Sequence, residues 1–147
     1  MGKGIIAACI GLAMAAVFVL SACGGGGSES LSKADYVRKG NAVCGKWQQA
    51  RGERFSQVSA EVKPPITEAK REKAILKVLE PYEDAIAGLK ELSPPSGEEQ
   101  QVEAMIEAME EAMARTQSDP RSAITSGLAF RKSNKMLETY GLKECKV

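Results

Sequence analysis

The chain has 147 residues, with 20 lysines and arginines against 19 aspartates and glutamates, and it has no histidine. The absence of histidine excludes the commonest general base, the usual serine and cysteine catalytic triads and the Glu-x-x-His pattern of helical di-iron proteins. The balanced charge argues against nucleic acid as the main partner and against a purely electrostatic attachment to anionic lipid.

The first predicted element is a leader. Lys3 is followed by the apolar run GIIAACIGLAMAAVFVL, which is the order of regions in a secretory signal peptide. The run ends in Leu-Ser-Ala-Cys, which resembles the lipobox of bacterial lipoprotein precursors. In such precursors a diacylglyceryl group is joined to the cysteine thiol, and a peptidase cuts just before that cysteine. We therefore expect residues 1–22 to be a lipoprotein signal peptide, cleaved between Ala22 and Cys23, with Cys23 lipidated.

Lipidation of Cys23 would place the protein outside the cytoplasm, anchored to the outer face of the cell membrane by acyl chains such as palmitate. Two or more chains anchor stably, whereas a single chain binds membranes only marginally. Two alternatives stay open from the sequence. Residues 4–22 almost reach the ~20 residues of a transmembrane span, and the general signal peptidase could instead release a secreted form. Residues 23–31 contain GGGGSES and are expected to be a flexible tether.

The remaining segment, residues 32–147, is long enough for a single domain with its own core. Of the four cysteines, Cys9 lies in the leader and Cys23 would carry the lipid. Cys44 and Cys145 remain, and two thiols in a domain of this size outside the cytoplasm most often form a disulfide. We therefore predict a bridge between Cys44 and Cys145.

Hydrophobic spacing predicts a first helix from Ser32 to Val62. Ser32 suits the N-cap position, with Asp35 three residues later. Apolar residues at helical spacing form the expected inner stripe: Val37, Cys44, Trp47, Phe55, Val58 and Val62. The segment Lys-Pro-Pro ends this helix, and Pro65 is expected to begin the next one.

The second helix is expected to run from Pro65 to Leu92, with a kink or break at Pro81. A third helix should follow the SPPSG turn, with Ser96 as its N-cap. Its expected inner stripe is Val102, Met105, Ile106, Met109 and Met113. Its opposite face carries four glutamates: Glu103, Glu107, Glu110 and Glu111. We interpret that face as solvated surface rather than as a metal site or a site for a cationic partner.

The fourth helix is expected to have Asp119 as its N-cap and Pro120 at its first position, and to continue to a stop at Gly141. Its expected inward residues are Ile124, Gly127, Phe130, Leu137 and Tyr140. Gly141 should take the left-handed conformation, and Leu142 should fold back on Leu137. The domain carries no strand pattern.

These segments predict an all-α fold, an antiparallel bundle of about four helices with one disulfide and with the second helix kinked or broken at Pro81. The bridge constrains this bundle. Cys44 lies 12 residues beyond Ser32, about 18 Å along the helix axis. We therefore expect the chain after the fourth helix to turn so that Cys145 reaches the middle of the first helix. Residues 32–41 would then project past the bundle toward the tether.

A resemblance to a known family rests on three stretches: YVRKGNAVC, LKELSPPSGEEQQVEAMIEAMEEAM and YGLKEC. Together they resemble a group of small actinobacterial-type extracytoplasmic lipoproteins, which share a cysteine in the first helix, a Leu-x-Pro-Pro turn and a terminal Tyr-Gly-Leu-x-x-Cys. The resemblance covers residues 36–145. It implies a helical fold with the bridge between Cys44 and Cys145, and it brings no catalytic residue, cofactor or substrate.

The expected function is that of a binding or interaction module held at the membrane. Its surface or a groove between its helices would meet an envelope protein, the wall or a small apolar molecule. A structural component of the cell envelope is the alternative function. Nucleic acid is not an expected partner.

An enzyme is not expected, because its acid and base groups would have to be carboxylates drawn from ordinary helix surfaces. The carboxylates that could be nominated are Glu53, Glu80, Glu83 and Asp84. No cofactor or metal is expected either. Met105 and Met109 are conceivable axial ligands of haem, but a methionine stripe at helical spacing is typical of a core.

Overall fold

The computed structural model describes residues 30–124 and 127–147, and the part it describes is helical, without a strand. Its α-helices are α1 Lys33–Glu61, α2 Glu68–Leu79, α3 Pro81–Lys90, α4 Glu99–Ser118 and α5 Arg131–Tyr140. Short 3₁₀ turns lie at Pro120–Ala123, Leu128–Phe130 and Lys143–Cys145. The leader, Cys23 and most of the tether lie outside the described residues.

The helices pack as an antiparallel bundle, which confirms the predicted fold class. Near the middle of α1, the ring of Trp47 contacts that of Tyr82 in α3, with 4.9 Å between the centroids. Nearer the end of α1, Glu61 pairs with Lys77 of α2 at 2.7 Å. The chain of α2 and α3 therefore runs antiparallel to α1. The helix α4 contacts both α3 and α5. The largest fully buried side chains include Tyr36, Tyr82, Phe130, Leu89, Met105, Met109, Leu137 and Leu142.

The start of α1 is as predicted, because the Oγ of Ser32 accepts a hydrogen bond from the Asp35 N–H at 3.1 Å. The inner stripe is confirmed at Cys44 and Trp47, both buried. It is wrong at Phe55, which is 63% exposed. Within Lys33–Glu61, Val58 is the one buried residue after Trp47. This half of α1 therefore buries only a narrow strip, which includes Val58 of the expected stripe but not Phe55.

The second helix begins at Glu68, so the predicted start at Pro65 is wrong. Thr67 is the N-cap, and its hydroxyl accepts from the Lys70 N–H at 3.4 Å. A side-chain acceptor at the cap satisfies a backbone donor, and a proline at the first position cannot do this. The predicted break at Pro81 is confirmed, since α2 ends at Leu79 and α3 begins with Pro81.

The predicted N-cap of α4, Ser96, is also wrong. The Glu98 N–H bonds to the Pro95 carbonyl at 3.0 Å, which closes a turn and leaves Ser96 outside the helix. Glu98 is the cap residue. Its carboxylate accepts a hydrogen bond from the hydroxyl of Tyr140 at 2.7 Å and pairs with Lys33 at 3.1 Å. The helix therefore begins where Glu98 is fixed by two other elements.

The single fourth helix predicted from Asp119 onward is wrong. Asp119 caps only the 3₁₀ turn Pro120–Ala123, where its carboxylate accepts from the Arg121 N–H at 3.2 Å. Gly127 is exposed and has a φ of +59°, a conformation that no right-handed helix contains. The α-helix starts at Arg131, and Ile124, predicted to point inward, is 66% exposed.

The end of α5 is as predicted. Gly141 has a φ of +106°, and the Leu142 N–H bonds to the Leu137 carbonyl at 2.8 Å, as in a Schellman cap. The side chains of Leu142 and Leu137 are both fully buried. The segment 142–147, which we name the return segment, then runs beside α1.

The disulfide between Cys44 and Cys145 is present, with 4.8 Å between the Cα atoms. Two asparagines also hold the return segment. Asn41 donates to the Gly141 carbonyl at 2.9 Å and accepts from the Glu144 N–H at 3.0 Å. Asn134 exchanges two hydrogen bonds of 3.0 Å with the backbone of Val147.

The expected projection of residues 32–41 past the bundle is wrong. Tyr36 is fully buried, and its ring meets that of Tyr140 edge to face at 5.9 Å. Gly40 lies against Leu142 and Leu89. The end of α5 therefore reaches the first turns of α1, and the return segment then covers the distance to Cys44.

Candidate functional site

A groove runs between α3 and α4, and we name it the acidic groove. It consists of two depressions of about 440 and 300 Å³, which share Lys90 and Glu110. The apolar floor is at most 8% exposed at five positions: Ile86, Leu89, Val102, Ile106 and Met113. Leu92 and Pro94 extend this floor at one end. The groove is therefore a shallow apolar trough on the surface of the bundle.

The rim of the acidic groove is strongly negative. Its carboxylates belong to Glu83, Glu99, Glu103, Glu107 and Glu110. Among the described lining residues, Lys90 is the one cation, and it pairs with Glu110 across the groove. Five carboxylates and one ammonium give the lining a formal charge of −4. Glu83 also accepts a hydrogen bond from the Gln117 side chain at 2.7 Å.

The rim and the floor both follow from the period of α4. Val102, Ile106 and Met113 repeat at spacings of four and seven, so they share a face. Glu103 follows Val102 and Glu107 follows Ile106 by one position, and both glutamates therefore lie at the edge of that face. Three of the four glutamates predicted on the solvated face border the groove, whereas Glu111 pairs with Lys132 at 3.1 Å.

The acidic groove offers a ligand apolar surface and negative charge. A ligand lying in it would remove the apolar floor from water, at about 25 cal/mol per Å². Its charged groups would have to be positive, because the rim repels anions. Among residues 30–124 and 127–147, no cluster of three or more histidine, cysteine or acidic side chains could hold a metal ion. The apolar floor and the negative rim together suit a cationic amphiphile.

A second cleft, of about 520 Å³, lies between α1 and α3 over Trp47 and Val43. It is larger than either half of the acidic groove, but its rim mixes signs. Lys46 stands on the rim with Asp84 and Glu91. Because opposite charges share this rim, the cleft shows no preference for one class of charged ligand.

Three buried polar atoms have no hydrogen-bond partner within the described residues: the hydroxyls of Tyr36 and Tyr82 and the Nε1 of Trp47. Burial raises the pKa of Tyr36 to about 12, and it raises the pKa of Tyr82 further. Burial, and then the hydrogen bond to Glu98, also raises the pKa of Tyr140. These phenols stay protonated at neutral pH, so none of them can act as a general base.

The carboxylates nominated for catalysis do not meet in one pocket. Glu53 accepts from Gln49 at 3.2 Å, and Glu80 pairs with Arg54 at 3.3 Å. Glu83 lines the acidic groove, and Asp84 lines the cleft between α1 and α3. The two methionines considered as haem ligands, Met105 and Met109, are buried in the core.

The described helices include none that is long and apolar enough to cross a membrane. The lipidation predicted at Cys23 lies outside the described residues. Comparison of the chain with protein families, with curated proteins and with solved structures found no match. The site is therefore assigned from its own geometry.

Proposed function

We propose that this protein is a lipid-anchored, extracytoplasmic binding module. In this proposal Cys23 carries the anchor, residues 24–31 form the tether and the helical domain presents the acidic groove. The lipobox and the family resemblance support the anchor, and the disulfide between Cys44 and Cys145 is compatible with an oxidising location. The module binds rather than catalyses.

The ligand we propose is a cationic amphipathic helix, such as a lysine-rich segment of an envelope protein, and this replaces the sequence-based interpretation of Glu103, Glu107 and Glu110 as solvated surface. The observation that carries this proposal is the combination of an apolar floor with a rim of charge −4. The groove follows α4 from Glu99 to Gln117, which is about 27 Å at 1.5 Å per residue. A partner helix of roughly 18 residues would match that length and would lay its apolar face on the floor, in the usual manner of a helix in a groove.

The binding test compares two amphipathic peptides with the same apolar face, one with lysines and one with glutamates on the polar face. Calorimetry should show saturable binding of the lysine peptide and no saturable binding of the glutamate peptide. The triple variant Glu99→Gln, Glu103→Gln, Glu107→Gln should bind it about tenfold more weakly, since each exposed charge pair contributes about 0.5 kcal/mol. A control variant, Glu53→Gln with Glu144→Gln, removes exposed carboxylates elsewhere and should bind normally.

Two results would contradict this binding site. Equal affinity of the triple variant and the control would place the peptide elsewhere on the surface. Saturable binding of the glutamate peptide would show that the rim charge does not select the ligand. If neither peptide binds, a structural role in the envelope becomes the better account.

The anchor has a separate test. Cys23→Ser should abolish incorporation of radiolabelled palmitate and leave the precursor with its leader uncut. Normal labelling and processing of this variant would end the lipoprotein hypothesis without affecting the groove.

A further inference from the structure

Another cleft, distinct from the acidic groove and from the cleft between α1 and α3, lies at the far end of the hairpin formed by α1 and α2. We name it the lysine cleft. Its volume is about 230 Å³. The floor consists of Val58 and Val62 at the end of α1 and Ala74 of α2. Four lysines surround this floor: Lys63, Lys70, Lys73 and Lys77. Lys70, Lys73 and Lys77 have the spacing of one helix face.

The cleft exists because that face of α2 is turned toward α1. A helix face in this position normally carries apolar residues that close the gap. Lysine ammonium groups are very costly to bury without partners, so they keep to the water-filled edge and the two helices leave a space between them. The local sequence therefore makes an apolar recess surrounded by cations.

The positive charge of the lysine cleft is only partly compensated. Glu61 supplies the carboxylate among the lining residues, and it pairs with Lys77 at 2.7 Å. Lys70 donates to the Pro65 carbonyl at 3.0 Å. Within the described part of the chain, Lys63 and Lys73 form no ion pair. Four ammonium groups and one carboxylate give the cleft a formal charge of +3.

We propose that the lysine cleft binds the anion of a phosphate monoester that carries a compact apolar group. A phosphate monoester bears close to two negative charges at neutral pH, and lysines bind it as mobile point charges. The apolar group would rest on Val58 and Val62. This site is separate from the acidic groove and does not depend on it.

The test uses the full-length protein in a non-ionic detergent, with phenyl phosphate as the probe in calorimetric titration. Inorganic phosphate and phenol are the two partial probes. We expect saturable binding of phenyl phosphate, weaker binding of inorganic phosphate and none of phenol. Binding should weaken at about 0.5 M NaCl, where the Debye length is only a few ångströms.

Matched variants locate the site. Lys63→Gln with Lys73→Gln should reduce the affinity for phenyl phosphate about fivefold, at the same contribution per exposed charge as in the acidic groove. The control, Lys39→Gln with Lys143→Gln, removes two exposed lysines at the other end of the bundle and should leave the affinity unchanged. Circular dichroism checks that both variants fold. Binding of the lysine peptide to the acidic groove should be the same in both.

Three results would overturn this proposal. The first is an equal loss of affinity in the two double variants. The second is equal affinity for phenyl phosphate and inorganic phosphate, because the apolar floor would then contribute nothing. The third is binding to vesicles of anionic phospholipid without saturable binding of phenyl phosphate, which would make the lysines a membrane-facing patch rather than a site.

Discussion

Removal of the bridge between Cys44 and Cys145 is expected to lower the free energy of unfolding by about 4–5 kcal/mol. The two residues are 101 positions apart, and closing a loop of that length costs the unfolded chain about 4.7 kcal/mol of conformational entropy. The suitable variant replaces both cysteines with alanine, because both are fully buried and a serine would leave a buried hydroxyl. Asn41 and Asn134 should keep the return segment docked.

The measurement is chemical denaturation of the wild type and of the double-alanine variant, together with their thermal midpoints. For a domain of this size the midpoint should fall by about 15–20 °C, since each kcal/mol corresponds to roughly 4 °C. Wild type kept reduced in excess dithiothreitol, without alkylation, provides the control and should lose a similar amount. A loss below about 1 kcal/mol would refute the reasoning, because the unfolded chain would then gain little freedom from losing the bridge.

Three further predictions concern other contacts. Gly40→Ala should destabilise the protein by about 1–3 kcal/mol, because its Cβ would lie 2.6 Å from Leu142 Cδ2; the control Gly45→Ala, with open space around it, should not. Tyr82→Phe removes a buried hydroxyl without a partner among the described residues, so denaturation at neutral pH should show unchanged stability or a gain of up to about 1 kcal/mol. The same variant should resist alkali better, because the raised pKa of Tyr82 means that wild-type stability is complete below pH ~10 and is lost as the pH rises above it. The hydrogen bonds from Tyr140 and Lys33 lower the pKa of Glu98. The contribution of Glu98 to folding stability is therefore present above the ordinary glutamate pKa and is lost as the pH falls through the lowered value. Glu98→Gln should flatten the acid side of the plot of stability against pH, and an unchanged plot would contradict this account.

Local chemistry made several parts of the fold predictable. A serine cap at Ser32, a missing backbone donor at Pro81 and a left-handed glycine at Gly141 each depend on a few neighbouring residues. Predictions failed where several nearby residues could serve equally well. Thr67 competes with Pro65 for the start of α2, and tertiary contacts of Glu98 decide where α4 begins.

The candidate site was only half visible in the sequence. Helical spacing identified the inner stripe of α4 and placed Glu103 and Glu107 outside it. It could not show that α3 lies beside that edge and supplies Leu89 and Lys90, because this depends on how two helices pack. The prediction that residues 32–41 project past the bundle failed for the same reason. It placed the end of the bundle after these residues, whereas Tyr140 packs on Tyr36 among them.

The return segment also determines when the hydrophobic core can close during synthesis of the chain. Leu142 fills the space beside Gly40, and Cys145 joins a residue in the middle of the first helix. A nascent chain that has not yet reached these residues contains the residues of all five α-helices but leaves the facing side of α1 open to water. Contacts of such large sequence separation also slow folding relative to simple helical hairpins. Synthesis from the amino terminus therefore closes this side of the core only after residues 142–147 have been made, and we expect resistance to unfolding and proteolysis to rise at that point.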